Sequence, residues 1–345
     1  MVDHKQQNPQ EFVAQVAREH FGQDVTEISA PGGEGRSSFR LFLKDQSVIA
    51  TLRPNFRRTH LEAFVLDQLN AHCDDLPQCL GVVGEVMFQS DVGERRLNVE
   101  IAEVPAEQRL DLAHEAVATI FRIQSAARKT TLHEMMPHLG TNQEWVTSFV
   151  DSVDFLRDLG GISDTFDRDA AYEAIDVAPR QFVKWDCRSG NAALDDAGKM
   201  RWFDFEYAGL RHGAEDIAWL IGDEAWPIRP QDMVDVVINA FDPDCGHDLA
   251  AYLEYLSVYL TFHAVQRLKL ISKESRKRGW QSKDKIRKFD DAGVHPEFAA
   301  QICRVGAYFS AQSPITAPLS RNFMSALNGF IQINVQNSQR HLRRA

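Results

Sequence analysis

The sequence predicts an α+β fold in two lobes, a small antiparallel β lobe over residues 1–102 and a larger, mainly helical lobe over residues 103–345. Three observations carry this reading. Short runs of alternating apolar and polar residues occupy much of the first hundred positions. The alternation stops at Ala102-Glu103-Val104-Pro105-Ala106, and helical periodicity takes over from there. Within the helical part, two apolar runs, Phe182-Val183 and Trp202-Phe203, each lead into an acid, as a strand does when it hands a polar side chain to a cleft.

In chain order, Phe12, Val13, Val16, Ala17 and Phe21 recur at helical spacing from Pro9 to Phe21, and Gly22 stands where a helix stops. Ile28-Ser29-Ala30 leads into the turn Pro31-Gly32-Gly33-Glu34-Gly35-Arg36-Ser37-Ser38, and Phe39 to Leu43 forms the next strand. Lys44-Asp45-Gln46 turns the chain into a strand from Ser47 to Arg53, on which Arg53 is the basic side chain. A helix starting near Thr59 carries Leu61, Val65 and Leu69 on one stripe, with Glu62 beside them. Strands at Gly81 to Phe88 and Arg95 to Ile101 complete the lobe.

In the second lobe, helices are expected over Leu110 to Ala127, Glu144 to Leu159 and Thr165 to Ile175, with a loop at His133 to Leu139. Phe182-Val183-Lys184-Trp185-Asp186-Cys187-Arg188-Ser189-Gly190-Asn191 follows, and Asp195-Asp196-Ala197-Gly198-Lys199 reads as a hairpin turn into the strand ending at Asp204. A helix headed by Asp216, then long helices over Leu249 to Ser272, Pro296 to Ala311 and Leu319 to His341, finish the chain.

An Asp, an Asn five residues later and a second Asp beyond a short hairpin suit phosphoryl transfer to a hydroxyl. One carboxylate orients the hydroxyl proton, while an amide oxygen and the other carboxylate hold Mg²⁺ on nucleotide phosphates. Asp186-x-x-x-x-Asn191 with Asp204-Phe205-Glu206 resembles the catalytic loop and metal motif of the aminoglycoside phosphotransferase and choline kinase family, which has a protein-kinase-like fold. The resemblance implies a catalytic base at Asp186, Mg²⁺ ligands at Asn191 and Asp204, ATP as phosphate donor and a small-molecule hydroxyl as acceptor. It also implies that Gly32, Gly33, Gly35 and Ser37 let backbone amides approach the phosphates, that Arg53 grips them, and that Glu62 orients Arg53. A plain hairpin turn is the alternative for the glycines, and a Thr59-x-x-Glu62 capping box is the alternative for Glu62. Asp216 matches a residue that braces the catalytic loop from behind. The chain departs from the family at Lys184-Trp185, where His-Gly usually precedes the catalytic Asp. That departure sustains a second reading, a catalytically weak nucleotide-binding pseudokinase acting as a sensor or partner module.

Composition bounds both readings. The hydrophobic share of 44% and charged share of 25% belong to an ordinary globular chain, and no apolar run reaches the length of a membrane span. The net charge of −11 argues against a nucleic-acid binder, whose affinity would come from neutralising phosphates. Five scattered cysteines form no C-x-x-C pair, and Met1 to Asn8 lacks the apolar core of a secretory signal, so a cytoplasmic protein is expected. Gly222-Asp223-Glu224-Ala225-Trp226-Pro227 reads as a solvated loop near the cleft, or alternatively as a seat for an ammonium group. Asp242, Asp244, Cys245 and His247 read as turn chemistry rather than a metal site. The basic stretch Lys273 to Lys288 reads as a solvated face.

Overall fold

A computed structural model describes residues 8–33, 35–159 and 161–342. Residues 1–7 of the N-terminal reading, Glu34 of the glycine-rich turn and Gly160 lie outside the described residues. The first lobe is a five-stranded antiparallel sheet in the order β1-β2-β3-β5-β4. Its strands are β1 (Glu27–Ser29), β2 (Ser38–Phe42), β3 (Ser47–Leu52), β4 (Cys79–Val83) and β5 (Val86–Ser90). The helix α1 (Pro9–Phe21) begins on an Asn8 cap and ends on Gly22 in the left-handed region. Its Val13 and Ala17 pack with Phe39, Leu41, Val48, Ala50 and Phe88 into a core of the lobe's own. Each buried Val, Leu or Phe side chain of this core contributes about 1.5–3 kcal/mol.

The helix α2 (Phe56–Asn70) covers the opposite side, and its Val65, Leu66 and Leu69 belong to the main core of the second lobe. The helix starts one turn earlier than the sequence suggests, because the Asn55 side chain caps it by accepting from the Arg57 amide. The capping-box alternative for Glu62 is therefore excluded. Gly81 to Phe88 is not one strand but the hairpin β4–β5, turned at Gly84 with φ 59° and closed by the Val83–Val86 pair. The strand expected over Arg95 to Ile101 shrinks to β6 (Arg95–Arg96), after which α3 (Leu97–Glu103) begins. Leu97 and Ile101 fit period two, yet they also stand four apart, and both are buried on one face of α3. The division drawn at residue 102 falls inside this helix.

The second lobe contains α4 (Ala106–Ala127), α5 (Leu132–Met135), α6 (Gln143–Asp151), α7 (Arg168–Ile175), α8 (Ala214–Ile221), α9 (Pro230–Ala240), α10 (Leu249–Arg278), α11 (Lys283–Phe289), α12 (Pro296–Ser310) and α13 (Ser320–Leu342). The helix expected to run to Leu159 tightens after Asp151 into a 3₁₀ segment, Ser152–Leu159. Two small antiparallel sheets sit on this lobe, β7 (Gln181–Val183) with β10 (Gly209–Arg211), and β6 with β8 (Ala192–Leu194) and β9 (Met200–Trp202). The β8–β9 hairpin is the one the turn residues predicted. It carries Asn191 and Asp204 at its two open ends, facing the first lobe.

Candidate active site

The catalytic-loop candidate leaves β7 at Val183 and bends immediately. Trp185 and Asp186 have φ of 60° and 50°, values that non-glycine residues adopt at a cost of about 1–3 kcal/mol each. Asp216 over-determines this bend. Its carboxylate accepts from the Trp185 amide at 2.8 Å and from the Lys184 amide and the Gln124 side chain at 2.9 and 3.2 Å. Burial lifts the Asp216 carboxyl to about 6, against the pull of those donors. The bracing role implied for Asp216 thus has its geometry.

Asp186 is held from both sides. Asn191 Nδ2 donates to its carbonyl at 2.9 Å and to its carboxylate at 3.1 Å, and Arg188 Nε donates to the other carboxylate oxygen at 3.0 Å. Asp204, at φ 66°, follows β9 on the facing strand of the hairpin. Its Oδ1 accepts from Arg53 Nη2 at 2.8 Å, and the same nitrogen donates to Glu62 Oε2 at 2.6 Å. Arg53 Nη1 meets Glu206 at 2.9 Å. Burial opposes the charge on Arg53, but three carboxylates override it and hold the group firmly protonated. Glu62 is fully buried, which raises its carboxyl, while Arg53 and the Phe205 amide, 2.9 Å from Oε1, oppose that rise.

These contacts join β3, α2 and the β8–β9 hairpin across the cleft. No family profile and no curated protein sequence matches this chain. Solved structures do. The GDP complex of wild-type aminoglycoside 2′-phosphotransferase-IIIa aligns over 83% of this chain and 99% of that chain, with a TM-score of 0.55 and 13% identity. The apoenzyme of macrolide 2′-phosphotransferase from Brachybacterium faecium aligns over 82% and 98%, with a TM-score of 0.52 and 11% identity. The chain has the aminoglycoside phosphotransferase fold.

Within that phosphotransferase fold, the glycine-rich turn links β1 to β2. Gly33 has φ 91°, and Gly35 has φ 82° with nothing within 4 Å of where a Cβ would stand. Gly32 lies against the Arg36 side chain, and the Ser37 carbonyl accepts from Leu52 at 2.8 Å, tying the turn to β3. Asp186 and Asn191 touch each other, and Arg53, Glu62 and Asp204 form a second group. Among the described residues the turn makes no hydrogen bond to either group; it docks on the end of α11, where Arg36 Nη2 donates to the Phe289 carbonyl at 3.4 Å.

The departure at Lys184-Trp185 acquires a physical account. Lys184 is buried, its ammonium 5.4 Å from the Phe205 ring centre and 3.4 Å from the Asp186 carbonyl, so it supports the loop from below. Trp185 takes a left-handed conformation that glycine would adopt freely, and its ring packs with Trp145, Trp219 and Tyr259.

The loop from Gly222 to Pro227 is not solvated. Asp223 is buried and accepts from the Ser189 amide at 2.8 Å, and buried Glu224 accepts from Arg267 Nε at 2.7 Å, so both acids are structural supports and no seat for an ammonium group. Asp242 accepts from the Asp244 amide at 3.0 Å and from Arg128 Nη2 at 2.6 Å. No cluster of three or more His, Cys, Asp or Glu that could hold a metal occurs among the described residues. In the basic stretch Arg278 pairs with Asp291, Lys283 with Glu297, and Arg287 donates to the Ala225 carbonyl, while Lys273, Arg276, Lys277 and Lys288 are exposed, as a solvated face requires.

Sequence reasoning missed Asp290. At the end of α11, with φ 46°, its carboxylate receives Arg188 Nη2 at 3.0 Å and packs against Gly190, where a Cβ would collide with it. The left-handed Asp after a short basic helix leaves no periodic mark, and its partner lies a hundred residues upstream.

Proposed function

We propose that this protein is an ATP-dependent phosphotransferase that moves the γ-phosphate to a hydroxyl of a small molecule. The observation that carries the reading is that Asn191, bonded to Asp186, stands at one open end of the β8–β9 hairpin and Asp204 follows the other, the Phe203 amide donating to the Asn191 carbonyl, with both acids held at positive φ. The likeness of fold to aminoglycoside and macrolide phosphotransferases supports it. In this reading residues 1–102 bind the nucleotide and residues 103–345 carry the reaction centre and acceptor site, and the protein works in the cytoplasm.

The donor set fits Mg²⁺. Asn191 spends its amide NH₂ on Asp186, which leaves its Oδ1 for a ligand, and Asp204 spends Oδ1 on Arg53, which leaves Oδ2. Both remaining donors are hard oxygens, the kind Mg²⁺ prefers. When bound, the ion would neutralise charge on the nucleotide's phosphate oxygens. Asp186, fixed by Arg188 and Asn191, orients the acceptor hydroxyl and takes its proton. Arg53, kept protonated by Glu62, turns one face to the phosphates, and the amides at Gly32 to Ser37 cover them from above.

Calorimetric titration with ATP tests the reading. Binding that requires Mg²⁺ and weakens in Asp204→Ala supports it and justifies screening aminoglycoside, amino-alcohol and sugar hydroxyls; no binding by the folded protein refutes it. The direct Arg53–Asp204 pair favours a second reading, a nucleotide-binding sensor without turnover. Replacing Asp186 by Asn separates the two, because an enzyme loses phosphoryl transfer while a sensor loses nothing.

A further inference from the structure

The charges that face the cleft can be assigned one by one. Arg40 Nε donates to Asp91 at 2.6 Å and its other nitrogens reach Gly93 and Glu94. Arg53 is shared by Glu62, Asp204 and Glu206. Arg188 is shared by Asp186 and Asp290. Arg36 is bound to the Phe289 carbonyl. Arg96 differs from all of these. Its side chain makes no hydrogen bond and no ion pair among the described residues.

Its position is fixed nonetheless. Its backbone pairs with Ala193 in the β6–β8 ladder, one residue before α3. The guanidinium carbon stands 6.0 Å from the centre of the Phe203 ring. Phe203 immediately precedes Asp204, and its amide donates to the Asn191 carbonyl at 3.0 Å. The half-buried guanidinium therefore lies over the floor that carries both proposed metal ligands. Burial lowers its hold on its proton, with Asp290 and Asp204 opposing and Arg40 and Arg36 adding to the effect. A half-buried guanidinium whose neighbours are a ring face 6.0 Å away and acids beyond hydrogen-bond reach has its desolvation only partly offset. An anion arriving in the cleft would supply the partner.

We propose that Arg96 is a phosphate-binding residue of the cleft, donating its planar fork to the polyphosphate of the nucleotide, a role that Arg53 fills only in part because three carboxylates already share it. This rests on the phosphotransferase reading and adds a contact to it. Arg suits the task better than Lys, since its fork matches two phosphate oxygens at once.

The test is calorimetric titration of wild type, Arg96→Gln and Arg96→Lys with MgATP and, separately, with adenosine, which has the base and ribose but no phosphate. Thermal melts establish that each variant is folded. The expected result is that Gln weakens MgATP about tenfold to a hundredfold and leaves adenosine unchanged, while Lys, which keeps the charge, loses less. Equal MgATP affinity in wild type and Arg96→Gln overturns the inference while leaving the phosphotransferase reading intact. Parallel loss of ATP and adenosine also overturns it, since that assigns Arg96 to the base, the ribose or the fold. Failure of wild type to bind any nucleotide refutes the phosphotransferase reading itself. Should Arg96→Gln not fold, the Lys variant decides, because a folded Lys protein that binds MgATP as tightly as wild type, or that loses MgATP and adenosine in parallel, overturns the role of the fork.

Discussion

Replacing Asp216 by Asn sets two opposed effects against each other at the base of the Lys184–Asp186 bend. Moving a buried carboxyl from its ordinary 3.8 to about 6 corresponds to about 3 kcal/mol against the ionised form at neutral pH, and the neutral amide removes that cost. The amide can present its oxygen to only one side. With that oxygen on the Lys184 amide and Gln124, its NH₂ confronts the Trp185 amide, so one charge-assisted bond is lost and the rest are weakened, at roughly 1.5–3 kcal/mol each. Global stability should therefore change by no more than about 2 kcal/mol. The loop should respond far more, because Trp185 and Asp186 keep positive φ only while their backbone is held. Native-state hydrogen exchange at the Trp185 amide reads this directly, with an expected acceleration of about tenfold to a hundredfold. The pH dependence has a definite sign. The folded carboxyl lies above its ordinary value, so the stabilisation by protonation is complete below about 3.8 and lost as pH rises through about 6. Wild type should accordingly gain stability from this group between pH 6 and 4, and the Asn variant should not. Unchanged exchange at the Trp185 amide in the Asn variant would refute the claim that Asp216 holds the loop.

Two further substitutions probe the supports around the site. His263 is buried beside Trp219 and Tyr259, and burial, with Arg267 and Arg188 nearby, lowers its pKa to about 3. A depressed histidine stabilises the fold above its ordinary 6.5 and loses that contribution as pH falls toward 3, at about 1.4 kcal/mol per pH unit, so urea unfolding of His263→Gln should show a pH 7 to pH 5 loss about 2 kcal/mol smaller than wild type. Glu62→Gln places an amide NH₂ against either the Arg53 or the Phe205 donor; because Arg53 keeps Asp204 and Glu206, the expected loss is about 2–3 kcal/mol in urea unfolding rather than the larger cost of stranding a buried charge. A change below about 0.5 kcal/mol would show that the Arg53–Glu62 pair is not formed.

How far the sequence reveals this architecture depends on whether a feature is local. Strand β3 with Arg53 and helix α2 with Glu62 were legible because each is marked by its own periodicity and the two are neighbours in the chain. The β8–β9 hairpin was legible from its turn residues. Alternation failed at Leu97 to Ile101, where apolar residues four apart serve a strand and a helix equally, and tertiary burial decides for α3. Acidity alone misled at Asp223 and Glu224, whose burial depends on the Ser189 amide and on Arg267 of α10. Arg96, Arg188 and Asp290 acquire meaning only from segments that meet after long separations in sequence.

The docking of the glycine-rich turn on α11 bears on rates rather than on affinity. A Cβ on Gly33 would stand 3.0 Å from the Phe289 ring, and Arg36 reaches the carbonyl of the same residue, so the turn can move away from α11 only by giving up both contacts. Trimming the ring to a methyl group loosens the turn and leaves the side chains of Asp186, Asn191 and Asp204 unchanged, so it should hasten arrival and departure together. On the phosphotransferase reading, stopped-flow measurements on Phe289→Ala should show both rate constants rising by similar factors with their ratio nearly constant, the behaviour of a latch on the doorway and not of a wall of the room.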